Sequence, residues 1–335
     1  LAVVYKENGM ALPLVLLSHP LPPAWISSLQ GRVRLLVGPA EPAGFAPHLL
    51  EQIGETEGIL CLLTDSVNQA LLNVAPRLRV VSNMAVGFDN IDIAACTRHG
   101  IPVGNTPGVL TDATADLTMA LLLAAARGLP KASMDARDGF WRTWTPTGWL
   151  GADLRGATLG IVGMGKIGRA VALRARGFGL NLIYTDSNHN PDVEKEYAAQ
   201  YSSMEDLLRE SDFVSLHCPL TVQTRGLINE SSLQKMKRSA ILVNTARGPI
   251  VVIDALLRAL RESWITAAAL DVTDPEPLPP EHPLYDFPNC LIVPHIGSAT
   301  HGTRRRMAEM ACENLLAGLD GQKLPNHVNP QVYGE

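Results

Sequence analysis

The sequence predicts two α/β domains, each built on a parallel sheet, and three observations carry that expectation. The chain is 335 residues long, more than one hydrophobic core usually serves. From its start, short apolar runs alternate with polar stretches of helical character, the pattern of strand–helix–strand units. A second series of the same kind begins at Thr158, leading into a glycine-rich turn. With 46% hydrophobic and 18% charged residues, the composition belongs to folded chains and not to disordered or fibrous ones.

In the first half the candidate strands are residues 13–17, 33–37, 59–63 and 80–81. Asp112 is expected to cap a helix over 113–127, whose nearly continuous apolar content predicts burial on more than one side and makes it a candidate domain connector. Residues 138–151, DGFWRTWTPTGWLG, set three tryptophans among glycines and a proline and read as a structured loop. In the second half the candidate strands start at Thr158 and continue through 182–184, 213–216, 240–243, 267–270 and 291–293. After residue 300 only about 35 residues remain, too few for a domain. Met307, Met310, Ala311 and Leu315 repeat at helical spacing, with Gly318 as a stop, so a last helix is expected to pack on the first domain.

Charge and cysteine usage narrow the function. Lys and Arg number 28 against 33 Asp and Glu, for a net charge of −5, so no overall positive field attracts nucleic acid or anionic lipid. The apolar run 117–126, bounded by Asp116 and Arg127, falls short of the roughly 20 residues of a membrane span. Residues 1–20 carry Lys6, Glu7 and early prolines in place of a leader pattern, so no secretory signal is expected. Cys61, Cys96, Cys218, Cys290 and Cys312 are widely spaced and form no Cys-x-x-Cys pair, which argues against a disulfide framework and a metal site and favours the cytoplasm.

The sharpest local signal runs Leu159-Gly160-Ile161-Val162-Gly163-Met164-Gly165-Lys166-Ile167-Gly168, in which Gly163, Gly165 and Gly168 form G-x-G-x-x-G. The first glycine permits a tight turn, the second lets backbone approach a pyrophosphate, and the third brings helix close to strand. Exposed amides and the helix dipole then hold the anion. Glycine-rich turns also join strands to helices where nothing binds, so context decides. The next candidate strand ends at Asp186, 23 residues after Gly163, near the roughly 20-residue spacing at which an acid bonds the ribose hydroxyls of NAD. A carboxylate there repels the 2′-phosphate of NADP, and no arginine follows in Ser187-Asn188-His189-Asn190. NAD(H) is therefore favoured over NADP(H), the plain alternative for Asp186 being a solvated carboxylate at a strand end.

Three later segments place a polar residue just past an apolar strand: Asn244-Thr245-Ala246-Arg247-Gly248, Asp271-Val272-Thr273-Asp274-Pro275-Glu276-Pro277 and Val293-Pro294-His295-Ile296-Gly297-Ser298. Ligands of open α/β sheets bind at such strand ends. Arginine offers a planar fork for a carboxylate, histidine passes a proton to a carbonyl oxygen, and glutamate holds that histidine in place. Each residue alone has an ordinary structural reading. Together Arg247, Glu276 and His295 match the needs of keto-acid reduction.

With Met84-Ala85-Val86-Gly87-Phe88-Asp89, Asn105-Thr106-Pro107-Gly108-Val109-Leu110-Thr111-Asp112 and Pro294-His295-Ile296-Gly297-Ser298-Ala299-Thr300, these motifs run in one order across nearly the whole chain. So ordered, the chain resembles the D-2-hydroxyacid dehydrogenase family, most closely its glyoxylate/hydroxypyruvate reductase branch. The resemblance implies a flavodoxin-like substrate domain of residues 1–112 and 300–335, an inserted NAD(P)-binding Rossmann domain of residues 113–299, and an active-site cleft between them. Arg247 would bind the substrate carboxylate and carbonyl, His295 would be the general acid, and Glu276 would orient and charge it. The amides of Val86 and Gly87 would complete the carboxylate site, with Leu62, Met84 and Phe88 shaping a small apolar pocket. Cofactor contacts are implied for Gly163, Gly165, Lys166, Ile167, Gly168, Asp186, Pro219, Thr224, Thr245, Ala246 and Gly297, with Asp271 on the nicotinamide carboxamide. His217 is read as cofactor wall and not as a second base.

The resemblance further implies a homodimer. The 141–149 loop lies at its interface with Trp144 reaching the partner's active site, or else its tryptophans pack within their own subunit. Formate dehydrogenases resemble the same family, but formate oxidation releases hydride and carbon dioxide and needs no acid–base pair, so Glu276 beside His295 favours a hydroxy acid. The rival of another class is an NAD(H)-sensing corepressor-like scaffold with little turnover, for which the sequence shows no appended interaction segment.

Overall fold

The computed structural model describes residues 11–41 and 44–334. Packing divides the chain into one unit of Leu1–Leu110 with Thr300–Glu335 and a second of Thr111–Ala299. The reading of the chain start as lacking a leader falls partly on residues 1–10, outside those described.

In the first unit, β1 (Leu14–Leu17), β2 (Arg34–Val37), β3 (Gly58–Cys61), β4 (Val80–Asn83) and β5 (Val103–Gly104) form a sheet of order β2-β1-β3-β4-β5. Every pairing is parallel, the flavodoxin-like arrangement. One face carries α1 (Pro47–Leu50), α2 (Gln69–Asn73) and α3 (Ile93–Arg98), which bury Leu49, Leu72 and Cys96 against Leu16, Ile59 and Val81.

The second unit is a seven-stranded sheet of β6 (Thr158–Val162), β7 (Asn181–Thr185), β8 (Ala199–Tyr201), β9 (Phe213–Leu216), β10 (Ile241–Asn244), β11 (Ala267–Leu270) and β12 (Cys290–Ile292). Its order, β12-β11-β10-β9-β6-β7-β8, is again wholly parallel. The chain runs outward from β6 to β8, then restarts at β9 on the other side of β6, so the direction of winding reverses between β6 and β9. Seven helices accompany it: α4 (Thr111–Ala126), α5 (Leu129–Arg137), α6 (Lys166–Gly177), α7 (Pro191–Tyr197), α8 (Met204–Glu210), α9 (Glu230–Lys235) and α10 (Ile253–Arg261). Helices α4 and α6 bury Ala115, Leu122, Val171 and Ala175 against Leu159, Ile161 and Val243. On the opposite face α8, α9 and α10 bury Leu207, Leu233 and Leu256 against Val214, Leu242 and Ala268. Covered on both sides, these strands read as unbroken apolar runs because every residue must face a core.

The chain ends in α11 (His301–Leu319), which returns to the first sheet and buries Met307, Ala311 and Leu315 against Val15, Leu60 and Val80. Gly318 is not the expected stop, since α11 runs past it to Leu319. Its task is contact: a Cβ there would lie 2.5 Å from the Val80 side chain, so glycine lets the helix rest on β4. One other expectation is corrected, and two strands went unpredicted. Helix α4 starts at Thr111, placing Asp112 inside its first turn and not at the cap, where its carboxylate accepts a hydrogen bond from Arg174 at 3.0 Å. Strands β5 and β8, of two and three residues, are too short to show an alternation and escaped prediction. Among the described residues no helix is long and apolar enough to cross a membrane.

Candidate active site

The glycine turn stands at the carboxyl end of β6, beside the point where the sheet reverses. Gly163 has a positive φ of 95°, and a Cβ on it would sit 2.6 Å from the Cys218 nitrogen. Gly168 lies so close to the turn that its Cβ would meet the Gly163 carbonyl at 2.2 Å. Gly165 differs, because a Cβ there would have no protein atom within 4 Å. Nothing inside the protein demands glycine at that position, whereas a pyrophosphate held there would. Gly165 and Lys166 are exposed at the amino end of α6, a 12-residue helix with no side-chain cap, so its first amides face outward as an anion site. These residues fit a dinucleotide.

At the end of β7 the half-buried Asp186 leans back on this turn. Its Oδ2 accepts the Met164 amide at 2.7 Å, and Oδ1 accepts the amide and hydroxyl of Ser187 at 2.7 and 3.1 Å. The carboxylate thus pins the strand end to the glycine turn. Thr224 closes the 219–224 loop by donating its hydroxyl to the Pro219 carbonyl at 2.6 Å.

The three segments past β10, β11 and β12 lie on the same edge of the sheet. Past β10, Asn244 Oδ1 accepts the Ala246 amide at 3.0 Å while its Nδ2 donates to the Arg247 carbonyl at 2.9 Å. That clamp closes the turn after β10, and the half-buried Arg247 donates its Nη1 to the Ala246 carbonyl at 2.8 Å. Gly248 cannot be larger, since a Cβ would lie 1.8 Å from the Thr273 carbonyl.

Past β12, His295 adopts a left-handed backbone with φ of 49°, a conformation uncommon outside glycine though tolerated better by His, Asn and Asp than by most. Its amide is shared between the carbonyls of Asp271 and Val293 at 2.9 and 3.0 Å. His295 Nδ1 and Glu276 Oε1 stand 2.5 Å apart, with side chains 25% and 33% exposed, so the pair is half-sheltered yet reachable. A carboxylate only accepts, so Nδ1 is the donor of this bond. Asp271, implied to touch a carboxamide, has both oxygens on its own chain: Oδ1 accepts the Ile296 amide at 2.6 Å and Oδ2 the Gly297 amide at 2.9 Å. Burial lifts its carboxyl above the usual range against the pull of these amides. It therefore shapes the loop that carries His295, a role its motif did not reveal.

In the first unit, Val86 and Gly87 follow β4. The Val86 carbonyl accepts Asn105 Nδ2 and the Gly87 carbonyl accepts Asn83 Nδ2, each at 2.8 Å. Sequence reasoning missed both asparagines; with the two carbonyls held, the peptide planes of this turn are set. Leu62, past β3, is half-buried; Met84 is buried and Phe88 41% exposed.

His217 is poorly placed to act as a second base. Desolvation pushes its imidazole from 6.5 to about 3, and its Nε2 lies 2.8 Å from Ser215 Oγ, so it stays neutral and poorly basic. As pH falls below 6.5, the unfolded chain binds a proton that folded His217 refuses until about 3, so folding stability drops across that window. His217→Gln is expected to shrink the loss of melting temperature between about pH 7 and about pH 5.5; an unchanged loss in thermal melts would count against a neutral, desolvated imidazole.

The amino-terminal edge of the sheet holds a cavity of about 480 Å³ lined by Arg127, Pro130, Trp149, Thr266, Ala267 and Asn289 among others. It contains none of the catalytic candidates. Among the described residues no group of three or more His, Cys, Asp or Glu side chains is placed to hold a metal ion.

Known proteins resemble this chain in sequence and fold. The family described as D-isomer specific 2-hydroxyacid dehydrogenase, NAD binding domain, matches residues 119–297. A glyoxylate reductase of Korarchaeum cryptofilum is 47% identical over 321 residues, covering 96% of this chain and 97% of its own. One from Aeropyrum pernix is 55% identical over 288 residues, 85% of this chain and 86% of its own. A solved NADPH-dependent glyoxylate/hydroxypyruvate reductase of Sinorhizobium meliloti, in complex with NADP and malonate, superposes with a TM-score of 0.83 at 30% identity, covering 94% of this chain and 96% of its own. A nucleotide fold matched over 179 residues, relatives sharing about half their sequence across most of both chains, and a sheet edge bearing arginine, glutamate and histidine lead to one result: the chain belongs to the D-isomer specific 2-hydroxyacid dehydrogenase family.

Proposed function

We propose that this protein reduces glyoxylate, and with it hydroxypyruvate, to the D-2-hydroxy acid, with Arg247, Glu276 and His295 as its catalytic set. The observation that carries the reading is the His295–Glu276 pair at 2.5 Å on the sheet edge that also bears Arg247. The Arg247 guanidinium takes the substrate carboxylate in a planar fork and faces the negative charge that grows on the carbonyl oxygen. His295 gives its Nε2 proton to that oxygen, and Glu276, bonded to Nδ1, stabilises the imidazolium that donates it. When bound, a reduced nicotinamide supplies the hydride. The keto carbon gains hydride, the oxygen gains the proton, and a hydroxyl results. The amides of Val86 and Gly87 are assigned to the substrate carboxylate, and Leu62 to the wall beside them.

The dinucleotide is assigned to Gly163, Gly165, Lys166, Ile167 and Gly168, with Pro219, Thr224, Thr245, Ala246, Asp271 and Gly297 along its path. NAD(H) is the preferred form, because Asp186 sets a negative charge at the ribose end. Asp186→Ser removes that charge together with the Met164 bond. It is expected to raise the ratio of kcat/KM for NADPH over NADH by about tenfold or more, in keeping with one like-charge contact. An unchanged ratio in initial-rate assays would leave Asp186 with a structural task alone.

A homodimer in the cytoplasm is the expected state. Between residues 129 and 150, Phe140, Trp141, Trp144 and Leu150 are 69%, 64%, 80% and 77% exposed, so Trp141 and Trp144 do not pack within their own subunit. Such an apolar surface calls for a cover, and a second copy is the cover proposed. Free cysteines, four of the five buried, suit a reducing compartment.

The test is turnover by the wild type with NADH and NADPH against glyoxylate, hydroxypyruvate and pyruvate, followed by nicotinamide absorbance. Reduction of glyoxylate supports the reading. Tight dinucleotide binding without turnover of any keto acid would favour a sensing scaffold.

A further inference from the structure

A buried chain of hydroxyls and amides runs beneath the strand ends that carry the catalytic candidates, and helix α4 supplies its middle. Thr245, two residues before Arg247, lies with its Oγ1 2.9 Å from Thr118 Oγ1 on α4. Thr118 Oγ1 also donates to the Thr114 carbonyl at 2.8 Å. A hydroxyl has one proton to give, so the Thr245 hydroxyl is the donor between the two. One turn earlier on α4, Thr114 Oγ1 donates to the Gly297 carbonyl at 3.3 Å. The Gly297 amide in turn meets Asp271 Oδ2 at 2.9 Å, and the Ile296 amide, next to His295, meets Asp271 Oδ1 at 2.6 Å. Thr118 is 0% exposed, Asp271 2% and Thr114 5%, so water does not substitute for a lost partner. The fit at the far end is close: a Cβ on Gly297 would stand 3.0 Å from Asp271 Oδ2 and 3.4 Å from Thr114 Oγ1.

A threonine inside a helix often bonds the carbonyl four residues back and nothing else. Thr118 does that and more, since its oxygen also receives Thr245, while Thr114 reaches a loop after a different strand. We propose that Thr114 and Thr118 are positioning residues, two hydroxyls one helical turn apart that hold the Arg247 segment and the His295 segment at a fixed separation. Hydride and proton transfer need both segments in register with one substrate, and small misplacements cost rate steeply. The proposal rests on the reading of Arg247 and His295 as the catalytic set.

The experiment compares wild type, Thr118→Val, Thr118→Ser, Thr114→Val, the double variant with both valines and His295→Asn in steady-state glyoxylate reduction across pH. Melting temperature and NADH fluorescence titration accompany each. Valine keeps the shape of threonine and removes the hydroxyl. Thr118→Val is expected to lower kcat/KM for glyoxylate about tenfold, mostly in kcat, and to displace the kcat pH profile, while Thr118→Ser stays within about twofold of wild type. Thr114→Val is expected to act in the same direction, and the double valine variant to cost less than the two losses multiplied, as for links of one chain. A folded Thr118→Val with wild-type kcat, KM and pH profile overturns the proposal. So does a lower melting temperature with unchanged kinetics, which leaves the bonds a purely structural role. Should Thr118→Val not fold, Thr114→Val, which cuts only the Gly297 link, decides by the same criteria. Wild-type turnover in His295→Asn is the separate outcome that defeats the catalytic assignment itself.

Discussion

His295→Asn is expected to lower kcat for glyoxylate reduction by roughly 10²- to 10⁴-fold while NADH still binds, the range that a positioned general acid contributes. Asparagine is the informative replacement because position 295 has a φ of 49°, and Asn enters the left-handed region more readily than alanine does. The backbone amide that bridges to the Asp271 and Val293 carbonyls is kept, so the variant loses the imidazole and little else. Glu276→Gln is the companion: it leaves a hydrogen-bond partner for Nδ1 but removes the carboxylate beside the ring, so a smaller loss is expected. Fluorescence titration with NADH separates lost chemistry from lost binding. A kcat within tenfold of wild type in His295→Asn would sink the assignment of His295 as proton donor.

Arg247→Ala is the second large effect. Removing a charged donor from a developing oxyanion costs about 3–4 kcal/mol of transition-state stabilisation, and the same guanidinium is assigned to the substrate carboxylate, so both kcat and KM should worsen. Arg247→Lys is expected to recover little. Its Nη1 bonds the Ala246 carbonyl at 2.8 Å, and an ammonium lacks the planar fork that meets a carboxylate with two parallel bonds. Single-turnover rates with glyoxylate, read beside NADH affinity, check this. Comparable kcat/KM in wild type and the lysine variant would mean that position 247 supplies charge without geometry.

Much of the site was legible because its motifs are local. The glycine turn and the three polar segments after β10, β11 and β12 each declare themselves within about ten residues of sequence, the distance over which strand, turn and helix start are specified, and Asp186 by its spacing from that turn. Strands β5 and β8 were not legible, since two or three residues show no periodicity and owe their pairing to β4 and β7. Gly318 misled for a related reason: glycine near a helix end is usually a stop, but here the need for contact with Val80 outweighs its weak helix propensity. Asp271 and Thr118 were illegible in another way. An aspartate after a strand and a threonine in an apolar helix each have many ordinary uses, and only their partners show which applies.

The sequence by itself determined the two-sheet α/β architecture and the glycine turn, and it singled out Arg247, Glu276 and His295 as candidates, because apolar periodicity and short motifs encode what lies within a few residues of the chain. Tertiary structure decided the 2.5 Å pairing of His295 with Glu276, the burial of Asp271 under two amides, and the hydroxyl chain from Thr245 through Thr118 and Thr114 to Gly297. Apart from the Thr118–Thr114 step within α4, those contacts join residues 19 to 183 positions apart, and such separations are closed by the packing of α4 and the order of the strands, which no local pattern in the chain records.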